Sequence, residues 1–202
     1  EGYYELFLLD LATGLRRGEL MALQWDDLDF KTGTLTVNKQ VYEVKGRLQV
    51  SIPKTRASIR RLVLPPSVGE VLRAYRETVN SRWMFPSPVK EDAPLDPQSV
   101  YRKMKKVLVR AQCKDIRFHD LRHTFATTVY LCNGGTIEAL SKILGHKHIS
   151  TTQIYAEVTN RMVSSDFRAI SGNLAAMQRS VLEKKDRKQD GKRVRRSLRE
   201  TA

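Results

Sequence analysis

Three short stretches of alternating apolar and polar residues lie in the first third of the chain, between segments with helical spacing. Apolar residues alternate with polar ones over 35–41, 48–52 and 59–64. A period of two predicts strands that bury one face, and the Lys45-Gly46 pair lies where a hairpin turn would join the first two. The polar segment 54–58 would separate the second strand from the third. We therefore predict a mainly α fold with a small three-stranded antiparallel sheet.

Segments with the apolar spacing of helices surround these strands. A first helix over 3–12 would stop at Gly14, and a second would span 16–25. Side chains of Ser, Thr and Asp accept hydrogen bonds from the free N–H groups of a first helical turn. Residues of this kind predict the starts of the later helices: Ser67 for a helix reaching about 81, Asp96 for one beginning at Pro97, Thr136 for 137–144, and Ser150 for one beginning near Thr151. Further helices would span 119–132 and 160–185.

The chain carries a large positive charge. It contains 36 Lys and Arg against 22 Asp and Glu, for a formal charge of +14. Residues 183–202 hold nine Lys or Arg and four acidic residues, so the excess belongs to the body of the chain as well as to its end. Such a charge favours binding to a polyanion with strong salt dependence. Nucleic acid is therefore the first predicted partner.

Cysteine usage and hydropathy both favour a cytoplasmic protein. Cys113 and Cys132 are too few for a disulfide framework and lack metal-site spacing. The longest apolar run, 6–9, is far too short to cross a bilayer, so no membrane partner is predicted. The chain opens at Glu1 without a methionine and enters a helical pattern at once, and we expect it to be a domain of a longer polypeptide.

Two stretches place charged groups at helical spacing. Arg16 and Glu19 share a helix face in ATGLRRGEL, where a carboxylate could orient a guanidinium whose planar fork suits two oxygens of one phosphate. His119 and Arg122 have the same spacing in FHDLRHTFAT, with His123 adjacent, and offer a proton-transfer group beside a cation. Alone, the first pair is more often a surface ion pair, and the second is a weak motif.

A third stretch, LGHKHISTTQIY, contains a histidine and a tyrosine nine residues apart. On one unbroken helix, steps of about 100° would place His146 and Tyr155 on opposite faces. A turn after Gly145 and a helix restarting at Ser150 would instead allow both side chains to reach one point. By itself a tyrosine in such a helix is more often a core residue than a nucleophile.

Taken together, the order and spacing of these three stretches resemble the tyrosine recombinase family of DNA integrases and site-specific recombinases. The resemblance covers about residues 1–170 and is closest to integrases of phages and conjugative transposons, especially in IPKTRASIRRLVLP. It implies the DNA breaking-rejoining catalytic fold and a bacterial, nucleoid-associated enzyme that integrates and excises a mobile element or prophage. The implied catalytic positions are Arg16 with its supporting Glu19, Lys54, His119, Arg122, His146 and the nucleophile Tyr155.

The family's chemistry agrees with the side chains at these positions. Arg16, Arg122 and His146 would act as fixed donors to the nonbridging phosphate oxygens, so no metal ion, cofactor or ATP is expected. A phenol has a pKa of about 10, so a base must accept its proton, and His119 is the natural candidate. Lys54 would protonate the departing 5′ oxygen, although three arginines, Arg56, Arg60 and Arg61, lie near it in sequence. The product would be a 3′-phosphotyrosine.

The resemblance also implies an organisation larger than this chain. Residues 1–182 would form the catalytic domain, with the helices of about 160–182 docking in trans in a homotetramer on DNA. The tail 183–202 is basic and predicted to be disordered. Core-binding and arm-binding domains, which family members place before this domain, are absent from the chain. Accessory directionality or bending proteins are further expected partners.

Three other functions fit part of the sequence. The stretch ALSKILGHKHISTTQIY also reads as a helix-turn-helix, which would make the chain a DNA-binding regulator. A metal-dependent nuclease would need clustered carboxylates, for which Asp26, Asp27 and Asp29 are the near candidates. A type IB topoisomerase would share the tyrosine chemistry. The regulator leaves Arg16, Arg122 and the other candidate catalytic residues unexplained, so the recombinase is the favoured hypothesis.

Overall fold

The structure, a computed structural model, describes residues 3–52 and 59–165, with side chains through residue 159. Residues 1–159 form one compact unit, and 160–202 form a second, of which only the backbone of 160–165 is described. Lys54 and the predicted tail 183–202 therefore lie outside the described residues. So does most of the helix predicted over 160–185.

The chain begins with two helices separated by a sharp turn. Helix α1 spans Tyr3–Thr13, and Gly14 follows with a φ of +61°, as predicted for a helix stop. Helix α2 is only Arg17–Met21, so the prediction of a helix over 16–25 is wrong in length. The backbone beyond it pairs with the segment around Trp83 instead, since Met84 N donates to Leu23 O at 3.0 Å. These long-range hydrogen bonds replace the helical ones.

The strands form two separate sheets. They are β1 Leu28–Asp29, β2 Thr34–Val37, β3 Gln40–Val44, β4 Arg47–Ser51 and β5 Arg60–Val63. One antiparallel sheet has the order β1-β2-β5, and β3 and β4 pair only with each other. A small antiparallel sheet is thus confirmed, but the expectation that 35–41 would form a single strand is wrong. Strand β2 ends at Val37, and β3 packs closely on α2, where a Cβ at Gly18 would lie 2.5 Å from Val41 O.

The predicted hairpin turn is confirmed between β3 and β4. Lys45 and Gly46 have φ values of +47° and +76°, the left-handed pair that matches the twist of two antiparallel strands.

Five longer helical segments follow the strands: α3 Pro66–Arg76, α4 Pro97–Arg110, α5 Phe118–Thr124, α6 Ile137–Leu144 and α7 Ser150–Ser165. The predicted caps of α4 and α6 are confirmed, since Asp96 accepts from two backbone N–H groups and Thr136 from one. The predicted cap at Ser67 is wrong, because Pro66 occupies the first helical position. Ser150 lies within the first turn of α7, so this helix starts one residue earlier than predicted.

Helix α5 continues into an irregular segment that packs against the end of α1. A π-helical stretch, Phe125–Tyr130, and a 3₁₀ turn, Leu131–Asn133, carry the chain to Gly134, which ends it with a φ of +86°. Widened helical turns of this kind are rare and often accompany functional sites. The ring of Phe125 packs against Gly14, where a Cβ would lie 2.3 Å from Phe125 Cδ1. The end of α1 therefore lies directly against this segment.

Two apolar clusters hold the unit together. The larger one joins α1 and α2 to β2, β5, α3 and α4, and includes Leu6, Leu20, Leu35, Leu72 and Val100. The smaller one joins the π-helical segment to α6 and α7, and consists of Phe125, Ala126, Leu140, Leu144 and Tyr155. Among the described helices, none is both long and apolar enough to span a lipid bilayer.

Candidate active site

Three arginines from different parts of the chain meet at the carboxyl end of α6. Three consecutive backbone carbonyls there each accept a hydrogen bond from a different arginine. Ile143 O accepts from Arg60 Nε at 2.5 Å, Leu144 O from Arg122 Nη2 at 2.6 Å, and Gly145 O from Arg16 Nη2 at 3.4 Å. A helix end of this kind has unpaired carbonyls and a partial negative charge, so it attracts cations. The helix end therefore assembles a group that local sequence does not bring together.

Arg122 is the most enclosed of the three. Its side chain is buried, and Nη1 donates to Gly14 O at 2.6 Å, which ties α5 to the end of α1. Burial and the neighbouring charge of Arg16 lower the pKa of Arg122 to about 10. The guanidinium is therefore still charged at neutral pH and is held by backbone carbonyls on two sides.

Glu19 lies between Arg16 and Arg60 and contacts both. Arg16 Nη1 donates to Glu19 Oε1 at 2.9 Å, and the Arg16 backbone N–H donates to Oε2 at 2.9 Å. Arg60 binds the same carboxylate with both terminal nitrogens, at 2.9 and 2.8 Å. Burial alone would raise the pKa of Glu19, but the hydrogen bonds and charges of Arg60 and Arg16 lower it to about 2. Glu19 is thus ionised throughout the physiological range.

His146 follows Gly145 and contacts Arg122. Arg122 Nη2 lies 3.0 Å from His146 Nε2, and His146 Nδ1 lies 2.9 Å from Thr152 Oγ1 in the first turn of α7. A guanidinium can only donate, so Nε2 accepts and the proton of the neutral ring belongs on Nδ1. Burial, together with the charges of Arg122 and Arg16, lowers the pKa of His146 to about 4. The ring is therefore neutral near pH 7.

Tyr155 is enclosed next to the arginines. Its side chain is 3% exposed, and its hydroxyl lies 3.0 Å from His123 Nδ1. Burial raises the pKa of Tyr155, while the charges of Arg122 and Arg16 act in the opposite direction. His119 is exposed and makes an edge contact with the ring of His123, with 4.9 Å between ring centroids.

Partial loss of hydration lowers the pKa of both α5 histidines, although His119 is exposed at the surface. For His119, the neighbouring His123 and Arg122 lower the pKa further. For His123, the nearby carboxylate of Asp120 opposes the effect, and Arg117 adds to it. Both rings are therefore neutral at pH 7 and able to accept a proton.

The structure brings together most of the residues that the sequence singled out. Arg16, Glu19, Arg122 and His146 form one connected hydrogen-bonded group, with Tyr155 in the electrostatic range of two of its cations. His119 lies one turn before His123, at the exposed edge of this group. The predicted Lys54 lies outside the described residues.

Three functional contacts were missed from the sequence: the pairing of Arg60 with Glu19, of Thr152 with His146, and of His123 with Tyr155. One signal was available for Arg60. It occupies the buried register of β5, where Arg60 and Leu62 alternate with the exposed Arg61 and Val63, and a charge on the apolar face of a strand requires a partner. The other two contacts depend on the angle between helices, for which sequence carries no local signal.

The carboxylates considered for a nuclease have other contacts. Asp27 accepts from Lys39 Nζ at 2.5 Å and from Gln24 N at 2.8 Å, and Asp29 accepts from Lys31 N and Thr32 Oγ1. These bonds fix the turns on either side of β1. Over the part of the chain that the structure describes, no three His, Cys, Asp or Glu side chains are grouped in a way that could hold a metal ion.

Comparison with known proteins identifies relatives along most of the chain. The model of the phage integrase family matches residues 3–162. Similar curated proteins include a XerC-like tyrosine recombinase of Caldanaerobacter subterraneus, 33% identical with 76% of this chain and 45% of that protein covered. XerD of Rhizobium meliloti is 35% identical, with 77% and 47% covered, and a putative prophage phiRv2 integrase of Mycobacterium tuberculosis is 30% identical, with 71% and 39% covered. The chain spans about half the length, or less, of these relatives.

Solved structures of similar fold include an integrase and a recombinase. The Tn1549 transposon integrase, in complex with a circular intermediate DNA, superposes with a TM-score of 0.65 at 24% identity, covering 76% of this chain and 53% of that one. The XerA recombinase superposes with a TM-score of 0.61 at 25% identity, covering 83% and 62%. These likenesses confirm the predicted catalytic fold.

Proposed function

Because this chain belongs to the phage integrase family, we propose that it is the catalytic domain of a site-specific DNA recombinase. Its proposed reaction is the breaking and rejoining of DNA strands through a phosphotyrosine formed on Tyr155. The biological outcome would be the integration and excision of a mobile element or prophage. The relatives that support this proposal are tyrosine recombinases and a prophage integrase.

The observation that carries the proposal is the convergence of cations beside the tyrosine. Arg16 and Arg122 come from sequence positions more than a hundred residues apart, yet both bind adjacent carbonyls at the end of α6. Such an arrangement offers two guanidinium groups to the two nonbridging oxygens of one phosphate. Arg16 is the more accessible, with 42% of its side chain exposed, and so is the group that incoming DNA meets first.

The reaction transfers a phosphoryl group without a change of oxidation state. The Tyr155 oxygen would attack the phosphorus, the bond from phosphorus to the 5′ oxygen would break, and the phenolic proton would pass to His119. Lys54, which lies outside the described residues, is proposed to protonate the leaving 5′ oxygen. Rejoining reverses these steps with another 5′ hydroxyl, so the phosphotyrosine conserves the energy of the cleaved bond and ATP is not needed.

The site must rearrange before it can react. Tyr155 is 3% exposed, and Arg122 donates to the same nitrogen of His146 that would have to face a phosphate. DNA binding is therefore proposed to draw Tyr155 away from His123 and to separate Arg122 from His146. The exposed ring of His119, one turn earlier on α5, is proposed to meet the hydroxyl after this movement.

The test is the capture of a covalent intermediate. The protein is incubated with a pool of nicked duplexes of randomised sequence, in which the short strand released by cleavage diffuses away and traps the adduct. An adduct that survives denaturation, maps to Tyr155 and disappears in Tyr155→Phe is expected. Sequencing of the trapped DNA would also report the target site. A protein that binds the pool but gives no adduct would be a regulator rather than a recombinase.

The proposal has two further parts: the reaction needs no metal ion, and it involves partners outside this chain. Adduct formation is expected to be undiminished in EDTA, because the guanidinium groups supply the positive charge that a metal would otherwise supply. Double-stranded DNA is the proposed substrate, and a homotetramer of the whole protein is proposed to bind it. Core-binding and arm-binding domains are proposed to contribute to this complex, together with accessory bending or directionality proteins. Crosslinking of DNA-bound full-length protein would report the tetramer.

A further inference from the structure

Arg60 has the features of a functional residue although its side chain is hidden from solvent. It is the first residue of β5, its side chain is 6% exposed, and all three of its nitrogens donate hydrogen bonds. Nη1 and Nη2 bind the two oxygens of Glu19, and Nε binds Ile143 O. Because the side chain is buried and both terminal nitrogens face the carboxylate of Glu19, we do not assign Arg60 as a direct ligand for phosphate or as a substitute for Lys54.

The pairing of Arg60 with Glu19 determines the charge that Arg16 presents. Glu19 orients Arg16, but a carboxylate paired only with Arg16 would also neutralise it. Arg60 supplies a second positive charge to the same carboxylate, in the bidentate geometry that gives the strongest pairs. The group of two arginines and one glutamate therefore keeps a net positive charge. That charge lies on the partly exposed Arg16, since Arg60 is buried.

The hydrogen bond from Arg60 Nε to Ile143 O fixes the backbone that leads to His146. Ile143 lies two residues before the left-handed Gly145, and a Cβ at Gly145 would lie 3.2 Å from Arg60 Nη1. Arg16 and Arg122 bind the next two carbonyls of the same turn. A shift of Arg60 would therefore move both the carboxylate that orients Arg16 and the peptide that carries His146.

We propose that Arg60 is a positioning residue for strand cleavage, which neutralises Glu19 so that Arg16 stays cationic toward the phosphate and which anchors the end of α6. This inference rests on the proposed recombinase function. Four charged groups act on Glu19, from α1, the start of α2, β5 and α5: Asp10, Arg16, Arg60 and Arg122.

The test compares four variants in the covalent-adduct assay with nicked duplexes. Arg60→Met leaves Glu19 paired with Arg16 alone, and we expect the rate of adduct formation to fall by about 100-fold, the scale of a small misplacement of a reacting group. The double variant Glu19→Gln/Arg60→Met lacks the carboxylate that would neutralise Arg16, so its rate should be higher than that of Arg60→Met. Glu19→Gln alone should lower the rate below that of wild type. Arg60→Lys keeps the charge without the fork and should fall between wild type and Arg60→Met.

Two further measurements separate this role from a merely structural one. The ratio of the Arg60→Met rate to the wild-type rate should rise as the pH is lowered from about 7.5 to 5.5, because protonation of a Glu19 that has lost Arg60 frees Arg16. The Glu19 carboxyl, followed by ¹³C NMR, should titrate at a higher pH in Arg60→Met than in wild type. Arg82→Met, which breaks the exposed pair of Arg82 with Asp92, is the matched control. It should change neither the pH dependence of the rate nor the titration of Glu19.

The outcomes are distinguishable. An Arg60→Met protein that melts lower but forms adduct at the wild-type rate below its melting temperature would overturn the inference. So would a double variant slower than Arg60→Met, or a rate ratio that is flat with pH. If wild type forms no adduct at all, the recombinase proposal fails, and the NMR titration still decides whether Arg60 controls the charge of Glu19.

Discussion

The Tyr155 hydroxyl lies 3.0 Å from Nδ1 of His123, not beside His119, the histidine that the family resemblance assigns to proton transfer. His119 is one helical turn away and touches only the edge of the His123 ring. We therefore propose separate tasks for the two histidines. His123 holds the hydroxyl while the tyrosine is buried, and His119 is proposed to take the proton once the tyrosine has moved.

Asparagine substitutions test this division of tasks. The side-chain oxygen of Asn can occupy the place of Nδ1 and accept a hydrogen bond, but it cannot take a proton at neutral pH. We expect His119→Asn to slow adduct formation by about 10²-fold or more, the usual contribution of a general base. His123→Asn should stay within several-fold of wild type. The opposite ranking in single-turnover kinetics would transfer the base role to His123.

The carbonyls around Gly145 should be sensitive to a single added methyl group. Gly145 has a φ of +66°, and a Cβ there would approach Arg60 Nη1 to 3.2 Å. Gly145→Ala therefore combines a left-handed backbone cost of about 1–2 kcal/mol with displacement of Arg60. The matched control is Gly134→Ala, since Gly134 also ends a helical segment with a positive φ but has open space around its Cβ position.

Both alanine variants should lower the free energy of unfolding, measured by urea titration, but only Gly145→Ala should also slow adduct formation strongly. Equal losses of adduct-forming activity in the two proteins would mean that the contact with Arg60 is unimportant.

Thr152 should matter for the orientation of His146. Its side chain is fully buried, and its hydroxyl lies 2.9 Å from His146 Nδ1, whose proton it receives. Thr152→Val keeps the shape but leaves that N–H without an acceptor, at a cost of about 1–3 kcal/mol in stability. Adduct formation should slow as well, because Thr152 no longer fixes the orientation of the imidazole.

The chain offers a matched control and a rescue for this variant. Thr151 is exposed, so Thr151→Val should leave both the melting temperature and the rate nearly unchanged. Thr152→Ser restores the hydroxyl and should recover most of the rate. A serine variant as slow as the valine variant would point to lost packing of the methyl group rather than to the hydrogen bond.

Replacement of the buried Asp10 by asparagine should stabilise the protein by an amount that depends on pH. Its side chain is fully buried on α1, and within the described residues neither carboxylate oxygen has a hydrogen-bond partner. Burial raises the pKa of Asp10 well above its usual value, although the charge of Arg122 opposes this. Folding therefore favours the protonated acid. The stability linked to Asp10 is fully present below the unfolded pKa of about 3.9 and is lost as the pH rises through the folded pKa.

Asp10→Asn, which cannot ionise, should therefore be more stable than wild type at pH 7 by about 1–3 kcal/mol. The gain should shrink toward zero near pH 4. Urea titrations of both proteins at several pH values measure it, and the difference between the two cancels contributions from other titrating groups. A gain that does not change with pH would show that folding does not raise the pKa of Asp10.

The sequence by itself determined the local features of this protein. Alternation predicted the strand segments, Lys45-Gly46 predicted the hairpin turn, and Asp96 and Thr136 predicted helix starts, because each depends only on neighbouring residues. Errors arose where distant groups compete with local ones. The helix over 16–25 ends early because backbone beyond it pairs with the segment around Trp83, a partner that no local pattern announces.

The candidate site shows the same difference between contacts set by neighbouring residues and contacts set by distant ones. The three-residue spacing was enough to pair Arg16 with Glu19, although Arg16 is the extended residue before α2 and not part of the helix. The tertiary structure decided which histidine meets Tyr155 and that Arg60 completes the charge group. It also placed three arginines on consecutive carbonyls of one helix end. These contacts depend on the packing angles of α5, α6 and α7 and of β5, which are fixed by burial of apolar surface across the whole unit.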